Sequence, residues 1–380
     1  MTEAMFRFTL AGIIGLAIPA ILRAQSAAPS AAPPDTTPKI TFGGFVDTYY
    51  AYDFNKPPLF DRAFTTQPAR SNEFNANLAF LEAKLDAPRI RGRFALQAGT
   101  SVQANYFNEP RVGVISGPSL SQLIQEAVVG VKLANNLWVD GGIFFSHIGE
   151  EYWISRDNPT YTRSIVADFT PYYQSGVKLT WQATPKLTAQ LDVVNGWQII
   201  SENNTGKSAG IRIDYASKPN LVFSYYNFLG DEVPVTPVPI TVPTVGGLRF
   251  FNGVGVKGNL TEKWLLLAEF DYGIQGRTGL TTANWYGGTL IGRYQATSAV
   301  AIIGRVERFD DPDQVLILTG LPDPFNVNGA SLGVDVTPAS RVLWRSEVRG
   351  FHGKHAVFPK DFSGPSKDDA FVVTSFALTF

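Results

Sequence analysis

The stretch Trp264-Leu265-Leu266-Leu267-Ala268-Glu269-Phe270-Asp271-Tyr272-Gly273-Ile274-Gln275 sets the period of the chain. Trp264, Leu266, Ala268, Phe270, Tyr272 and Ile274 share one parity, and Leu265, Leu267, Glu269, Asp271, Gly273 and Gln275 the other. A repeat of two belongs to a β-strand, whose successive side chains leave on opposite faces. One face here suits an apolar medium and the other a wet, tolerant space. Arg93 to Ala104 alternates in the same way, with Phe94, Leu96, Ala98, Thr100 and Val102 against Ala95, Gln97, Gly99, Ser101 and Gln103. A break in parity precedes both stretches. Phe74, Ala76, Leu78 and Phe80 share a face, but Leu81, Ala83 and Leu85 take the other, which places a β-bulge near Phe80-Leu81.

The connections between such segments alternate short and long. Short ones fall at Ala87-Arg89, Ala134-Asn136, Ala183-Lys186, Ser217-Asn220, Asn259-Glu262, Gln295-Ser298 and Thr337-Ser340. Long ones fall at 54–72, 105–119, 150–171, 231–247, 310–325 and 352–369, with lesser members at 199–207 and 276–283. Short turns on one side and long loops on the other are the mark of a bacterial outer-membrane barrel, and the segments number about 16, with 14 or 18 as neighbouring counts. Hydrocarbon offers backbone N–H and C=O groups no water, so a sheet survives there only by closing on itself. The fold class that follows is all-β, a closed antiparallel transmembrane β-barrel over residues 40–380. Trp181, Tyr215, Trp264 and Tyr294 are placed for one interfacial aromatic girdle, and Tyr50, Tyr52 and Tyr272 for the other.

Composition narrows the function classes. The 380 residues carry 32 Lys+Arg against 33 Asp+Glu, so no basic footprint for nucleic acid exists. No cysteine is present, which excludes disulfides, zinc–thiolate sites and Cys nucleophiles. Arg7, the apolar run Phe8 to Leu22 and the junction Ala24-Gln25 read as a cleaved signal peptide over 1–24. Residues 25–39, rich in Ala, Pro, Ser and Thr, read as a disordered tether. The Pro-rich loop holding Pro234, Pro237, Pro239 and Pro243 reads as a stiff, extended segment. At the far end Val372, Thr374, Phe376, Leu378 and Phe380 share a parity, which resembles the C-terminal strand signal read by the barrel-assembly machinery.

Charged residues on the inward parity are the candidate pore lining: Arg212, Asp214, Glu269, Asp271, Arg305, Glu307, Arg345, Glu347 and Arg349. A lipid-facing Arg or Lys at mid-bilayer costs roughly 2–4 kcal/mol, so these side chains belong inside. Rings of charge set ion preference in pores. One reading makes them a selectivity lining, with Arg305, Arg345 and Arg349 facing acids such as Glu269 and Asp271. The other makes them ion pairs that solvate a wet wall and hold its shape. The segment 150–171, with Glu150, Glu151, Arg156, Asp157, Arg163 and Asp168, is the candidate constriction loop, its alternative being a surface loop. Asp310-Asp311-Pro312-Asp313 lacks the ordered spacing of a calcium loop and reads as a solvated turn. Three histidines, His147, His352 and His355, read as solvated rim and loop residues. Ser146 beside His147 points to the opposite face, and no Gly-x-Ser-x-Gly elbow is present.

Several blocks resemble the OmpL-like beta-barrel porin family. They are Gly44-Phe45-Val46-Asp47-Thr48-Tyr49-Tyr50-Ala51-Tyr52-Asp53-Phe54-Asn55; Phe145-Ser146-His147-Ile148-Gly149-Glu150-Glu151 with Arg156-Asp157-Asn158 and Tyr161-Thr162-Arg163-Ser164; and Val194-Asn195-Gly196-Trp197 with Asn203-Asn204 and Lys207-Ser208. Two late blocks, Arg305-Val306-Glu307-Arg308-Phe309-Asp310-Asp311 and Arg345-Ser346-Glu347-Val348-Arg349, complete the likeness. The resemblance implies an outer-membrane porin and is silent on what it passes; the strand count implies a water-filled lumen for passive diffusion of small hydrophilic solutes or ions, with no enzymatic role, no cofactor and no metal. Its surroundings would be outer-membrane lipid and lipopolysaccharide, with a homo-oligomer left open. A surface receptor or adhesin with its function in the loops, and a barrel hydrolase, are the alternatives from other classes.

Overall fold

The computed structural model describes residues 37–232, 247–277 and 279–380. The leader at 1–24, most of the tether and the Pro-rich loop therefore lie outside the described residues. Sixteen strands follow in order. The first five are β1 (Lys39–Asp53), β2 (Glu73–Asp86), β3 (Ile90–Ala98), β4 (Ile124–Ala134) and β5 (Leu137–Phe145). Then come β6 (Tyr173–Thr184), β7 (Leu187–Val194), β8 (Ser208–Lys218), β9 (Leu221–Asp231) and β10 (Leu248–Asn259). The last six are β11 (Trp264–Gln275), β12 (Ala283–Gln295), β13 (Val300–Asp311), β14 (Phe325–Ala339), β15 (Val342–Gly353) and β16 (Asp368–Thr379). Each strand pairs antiparallel with its sequence neighbours, and β16 pairs with β1 to close the barrel. An even number of strands puts every short turn at one end and every long loop at the other.

The period-two pattern becomes the inside and outside of the wall. On β11, Leu267, Glu269, Asp271 and Gln275 are buried inward, whereas Trp264, Phe270 and Tyr272 are exposed outward. The outward aromatics pair across strands, Trp264 with Tyr294 at the turn end and Tyr50 with Phe74 at the loop end, each with ring centroids 4.9 Å apart. The β1–β16 seam runs from Asp53 opposite Phe371 to Phe45 opposite Thr379, and Phe380 extends it: its N–H donates to Gly44 O and the Gly44 N–H to Phe380 O, at 3.0 and 2.9 Å.

Two sequence expectations are corrected. The segment Arg93–Ala104 is not one strand: β3 ends at Ala98, and Thr100–Tyr106 form a helix, α1, folded inside. Gly99 makes the turn with φ of 139°, where an added Cβ would sit 2.3 Å from Asn77 O, so a non-glycine residue is strained there and has no space. Alternating small polar and apolar residues continued the strand pattern through a segment whose partners are in the interior. The bulge in β2 lies at Asn77, where the β1–β2 register shifts, and not at Phe80-Leu81. Leu78 and Phe80 consequently face inward, packed with Phe45, Val102, Tyr106 and Trp153. The two corrections share a cause: the Asn77 carbonyl accepts from Ser101 Oγ of α1 at 2.7 Å, so the bulge holds the helix. Two further short helices, α2 (Pro118–Ser121) and α3 (Ile165–Asp168), lie in the loops.

Candidate functional site

The connection between β5 and β6, residues 146–172, does not stay at the loop end. Arg156 near its tip donates from Nη1 to Thr379 Oγ1 at 2.9 Å, and Thr379 is the last residue of β16, at the turn end. The loop therefore runs down the interior of the barrel. Both sides of the wall hold it.

On one side stand β13 to β15. Arg345 donates to four loop carbonyls, those of Ser155, Asn158, Pro159 and Thr160, at 2.6–3.1 Å, while Asp335 takes its Nε and Nη2 at 2.8 and 2.9 Å. Arg305 donates to Thr162 O at 2.8 Å, Thr162 Oγ1 at 2.7 Å and Glu347 Oε1 at 2.8 Å. Arg349 forms a two-pronged pair with Glu307 at 2.9 and 2.8 Å. Glu347 and Glu307 in turn accept from the Thr162 and Ile165 backbone N–H groups at 2.9 and 2.7 Å. Planar guanidinium groups suit such multi-acceptor cradles, because their donors form a rigid fork. These three arginines are 1–2% exposed.

On the other side stand β8, β10 and β11. Arg212 donates to His147 O and Gly149 O at 3.0 and 2.8 Å and pairs with Glu150 and Asp214, both at 2.9 Å. Lys257 Nζ donates to Glu150 O at 3.1 Å, and the Glu150 N–H donates to Glu269 at 3.0 Å. The Tyr226 hydroxyl sits 2.8 Å from Glu269 Oε1 and 3.0 Å from Asp271 Oδ1, sharing its one proton between the two carboxyl groups. A Cβ on Gly255 would lie 2.4 Å from Glu150 Cγ, so the absence of a side chain there lets the loop approach the wall.

The loop is also braced internally. Arg163 donates to the carbonyls of Tyr152, Tyr161 and Trp153 at 2.6–2.7 Å and to Gln67 Oε1 of the 54–72 loop at 2.9 Å. Glu151 accepts from the Ser164 N–H and hydroxyl. Asp168 accepts from the Thr66 and Tyr172 hydroxyls at 2.6 and 3.2 Å, and burial pushes its carboxyl up to about 6. Asp157, beside Arg156, keeps its side chain 45% exposed and faces water.

All nine wall residues and all six loop residues singled out in the sequence thus come together. The partners differ from the expected ones: the arginines close onto Glu307, Glu347 and Asp335, not onto Glu269 and Asp271. The sequence reading missed Asp335 and Lys257, whose contacts are given above, and also Asp47, Tyr226 and Gln67. Asp47 accepts from Ser155 Oγ at 2.8 Å, and it was legible as an inward-parity acid in the first strand. Tyr226 was legible by parity too, but Gln67, in an aperiodic loop, carried no signal. His147 is corrected. It is buried, with Nδ1 2.7 Å from Asp192 Oδ2 and Nε2 2.8 Å from Asn227 O, because the inserted loop begins here and turns the ring inward against β6, β7 and β9. Neither ring nitrogen is met by a serine hydroxyl, so this histidine does not form a Ser-His pair. Asp311 collects the N–H groups of Val315, Leu316 and Ile317 at 2.8–2.9 Å, which makes it the organiser of its loop.

Above the inserted loop the wall opens into a cavity of about 630 Å³. Below it, inward side chains such as Lys84, Arg91, Asp214 and Arg293 keep 25–49% of their surface in water.

A closed even-stranded barrel with an apolar outer band and a charged interior is the architecture of outer-membrane channels. The chain belongs to the family described as "Putative beta-barrel porin-2, OmpL-like", whose model matches residues 39–380. No curated protein matches it in sequence. Among solved structures it is similar to OmpT, an outer membrane protein of Vibrio cholerae, at 9% identity, with a TM-score of 0.58, over 90% of this chain and 98% of that one. It is similar to the outer membrane channel DcaP of Acinetobacter baumannii at 11% identity and TM-score 0.58, over 91% and 98%. The anion-selective porin from Comamonas acidovorans gives 12% identity and TM-score 0.57, over 90% and 100%. At these identities the likeness is one of fold. The family match makes the protein an outer-membrane porin, a passive diffusion channel.

Proposed function

We propose that small hydrophilic solutes enter the cavity at the loop end, pass beside the 146–172 loop and leave through the wetter turn-end lumen. The loop sets the narrowest point. Arg212, Asp214, Glu269, Asp271, Arg305, Glu307, Arg345, Glu347 and Arg349 act on passage chiefly through the loop they hold. Glu150, Glu151, Arg163 and Asp168 keep the loop folded, and Arg156 with Asp157 presents charge at its tip. The observation that carries this reading is the double anchorage of one loop to opposite sides of the wall. Residues 1–24 serve export, and Phe376, Leu378 and Phe380 serve assembly. One OmpT structure is described as a trimer form, which makes a homo-oligomer the state to test by cross-linking.

The test is single-channel conductance of the refolded protein in a planar bilayer. Discrete, ohmic steps of small size are expected, growing when residues 151–163 are replaced by a short Gly/Ser linker. A correctly folded barrel that never conducts overturns the reading and moves function to the outer loops.

A further inference from the structure

The inserted loop leaves one side of the wall free. Residues 150–165 hydrogen-bond to β1, β8, β10, β11, β13, β15 and β16, but among the described residues to none of β3–β7. A path beside the loop thus follows β3–β7 towards the turn end. The inward charges met there are arranged in depth. Arg91 on β3 reaches across β4 to Asp140 on β5, its Nε donating to Oδ1 at 2.7 Å and its Nη2 to Oδ2. Gly130 stands between them and makes the reach possible, since a Cβ there would lie 2.1 Å from Asp140 Oδ1 and 2.9 Å from Arg91 Cγ. The guanidinium also lies over the Trp138 ring, 4.4 Å from its centroid. The pair is thereby layered, with the cation side chain 38% exposed and the carboxylate 3%.

The same order recurs round the turn end. Lys84 keeps 49% of its side chain exposed against 10% for its partner Glu82, and Arg293 keeps 25% against 6% for Asp335. Arg93 covers Glu82 and Glu126 by a smaller margin. Lys132, beside Trp138, has no carboxylate in ion-pair contact among the described residues. Two acids run the other way: Asp214 and Asp157 stand further into water than Arg212 and Arg156. At the mouth Lys39 and Asp86 are opposite in register and offset each other. The formal charges of a layered pair cancel, but a passing ion lies nearer the outer member, and Coulomb energy falls with distance. Charges that line a pore set its ion preference. We propose that the turn-end lumen passes small anions in preference to cations, with Lys84, Arg91 and Arg293 as the specificity-determining residues. The proposal rests on the porin reading and names the charge class of its solute.

The test is the reversal potential of the refolded protein in a planar bilayer with unequal KCl on the two sides. Chloride is expected to be about threefold or more as permeant as potassium at about 0.1 M salt, since a unit charge a few ångströms away in water shifts an ion's occupancy by that order. The ratio should fall towards one at about 1 M salt, where the screening length shrinks from about 10 Å to about 3 Å. Lys84→Gln should lower the ratio, and Glu82→Gln should raise it by less, because that carboxylate is already covered. Arg91→Gln uncovers Asp140 and should lower the ratio most. Lys84, at the turn-end mouth, keeps the proposal testable should the Arg91 variant misfold. A conducting wild type with a ratio of one or below overturns the proposal, as does a Glu82→Gln shift as large as that of Lys84→Gln. A folded barrel that never conducts overturns the porin reading itself, and this proposal with it.

Discussion

Arg345 offers the sharpest perturbation. Arg345→Ala removes the donors to four loop carbonyls and leaves Asp335 with Arg293 at 3.5 Å as its remaining cation. Hydrogen bonds from a charged donor contribute about 1.5–3 kcal/mol each, and they do not add when they share one group. Removing one partner of a buried ion pair costs about 3–5 kcal/mol. Taking that range as the loss of loop anchorage, the docked-to-released ratio falls roughly 10²- to 10⁴-fold. The β14–β15 ladder is backbone and stays, so the barrel itself should unfold at a temperature close to wild type. The expected record is larger or flickering single-channel steps, together with protease cleavage within 151–163 in intact barrels. Arg345→Lys, with a point charge and no fork, should fall between the two. A folded Arg345→Ala barrel with wild-type conductance and a protected loop would refute the view that this arginine holds the constriction.

Three other outcomes follow from the same geometry. Asp168 has its carboxyl raised to about 6 by burial, so its ionised form is disfavoured in the folded loop. The docked loop should gain stability as pH falls from about 6 to about 4, by up to about 3 kcal/mol, and Asp168→Asn should flatten that dependence in a protease-protection assay. A flat wild-type profile sinks the idea. Gly273→Ala places a methyl 2.0 Å from Trp285 Cζ2 and should lower the denaturation midpoint, read by heat-dependent gel mobility, by the equivalent of about 1–3 kcal/mol. An unchanged midpoint would mean the indole has room to move. Phe380→Ala keeps the backbone pair with Gly44 but loses the outward ring, so folded protein in the outer membrane should fall several-fold while the stability of what assembles changes little. Wild-type yield would remove the assembly role.

The wall was legible because its constraint is local and periodic. A strand with lipid on one side must alternate, and Trp264–Gln275 did so throughout. The loop's contents were legible only as residue types, since Glu150, Arg163 and Asp168 suit a solvated surface loop as well as a paired interior one. Its placement was not legible, because a loop carries no period and its partners lie 140 to 190 positions away on β13 to β15. Parity also failed where the interior stopped being water. Leu78, Phe80 and Phe45 face inward because α1 and Trp153 cover them, and an apolar inward residue looks like a slip in register. His147 misled for a related reason: a rim position by sequence became a core position once the loop it begins turned inward against the wall.

The sequence distance between the loop and its anchors has a temporal meaning. Contacts separated by so much chain must wait for the intervening strands, since closing a long loop costs entropy before any bond repays it. The 146–172 segment follows β5, but its arginine partners belong to β13, β14 and β15. Until those strands join the sheet, the loop has only the β8 to β11 side to rest on. A barrel in the course of closing should therefore pass through a wider, leakier stage, and docking of the loop should be among the last events of its maturation.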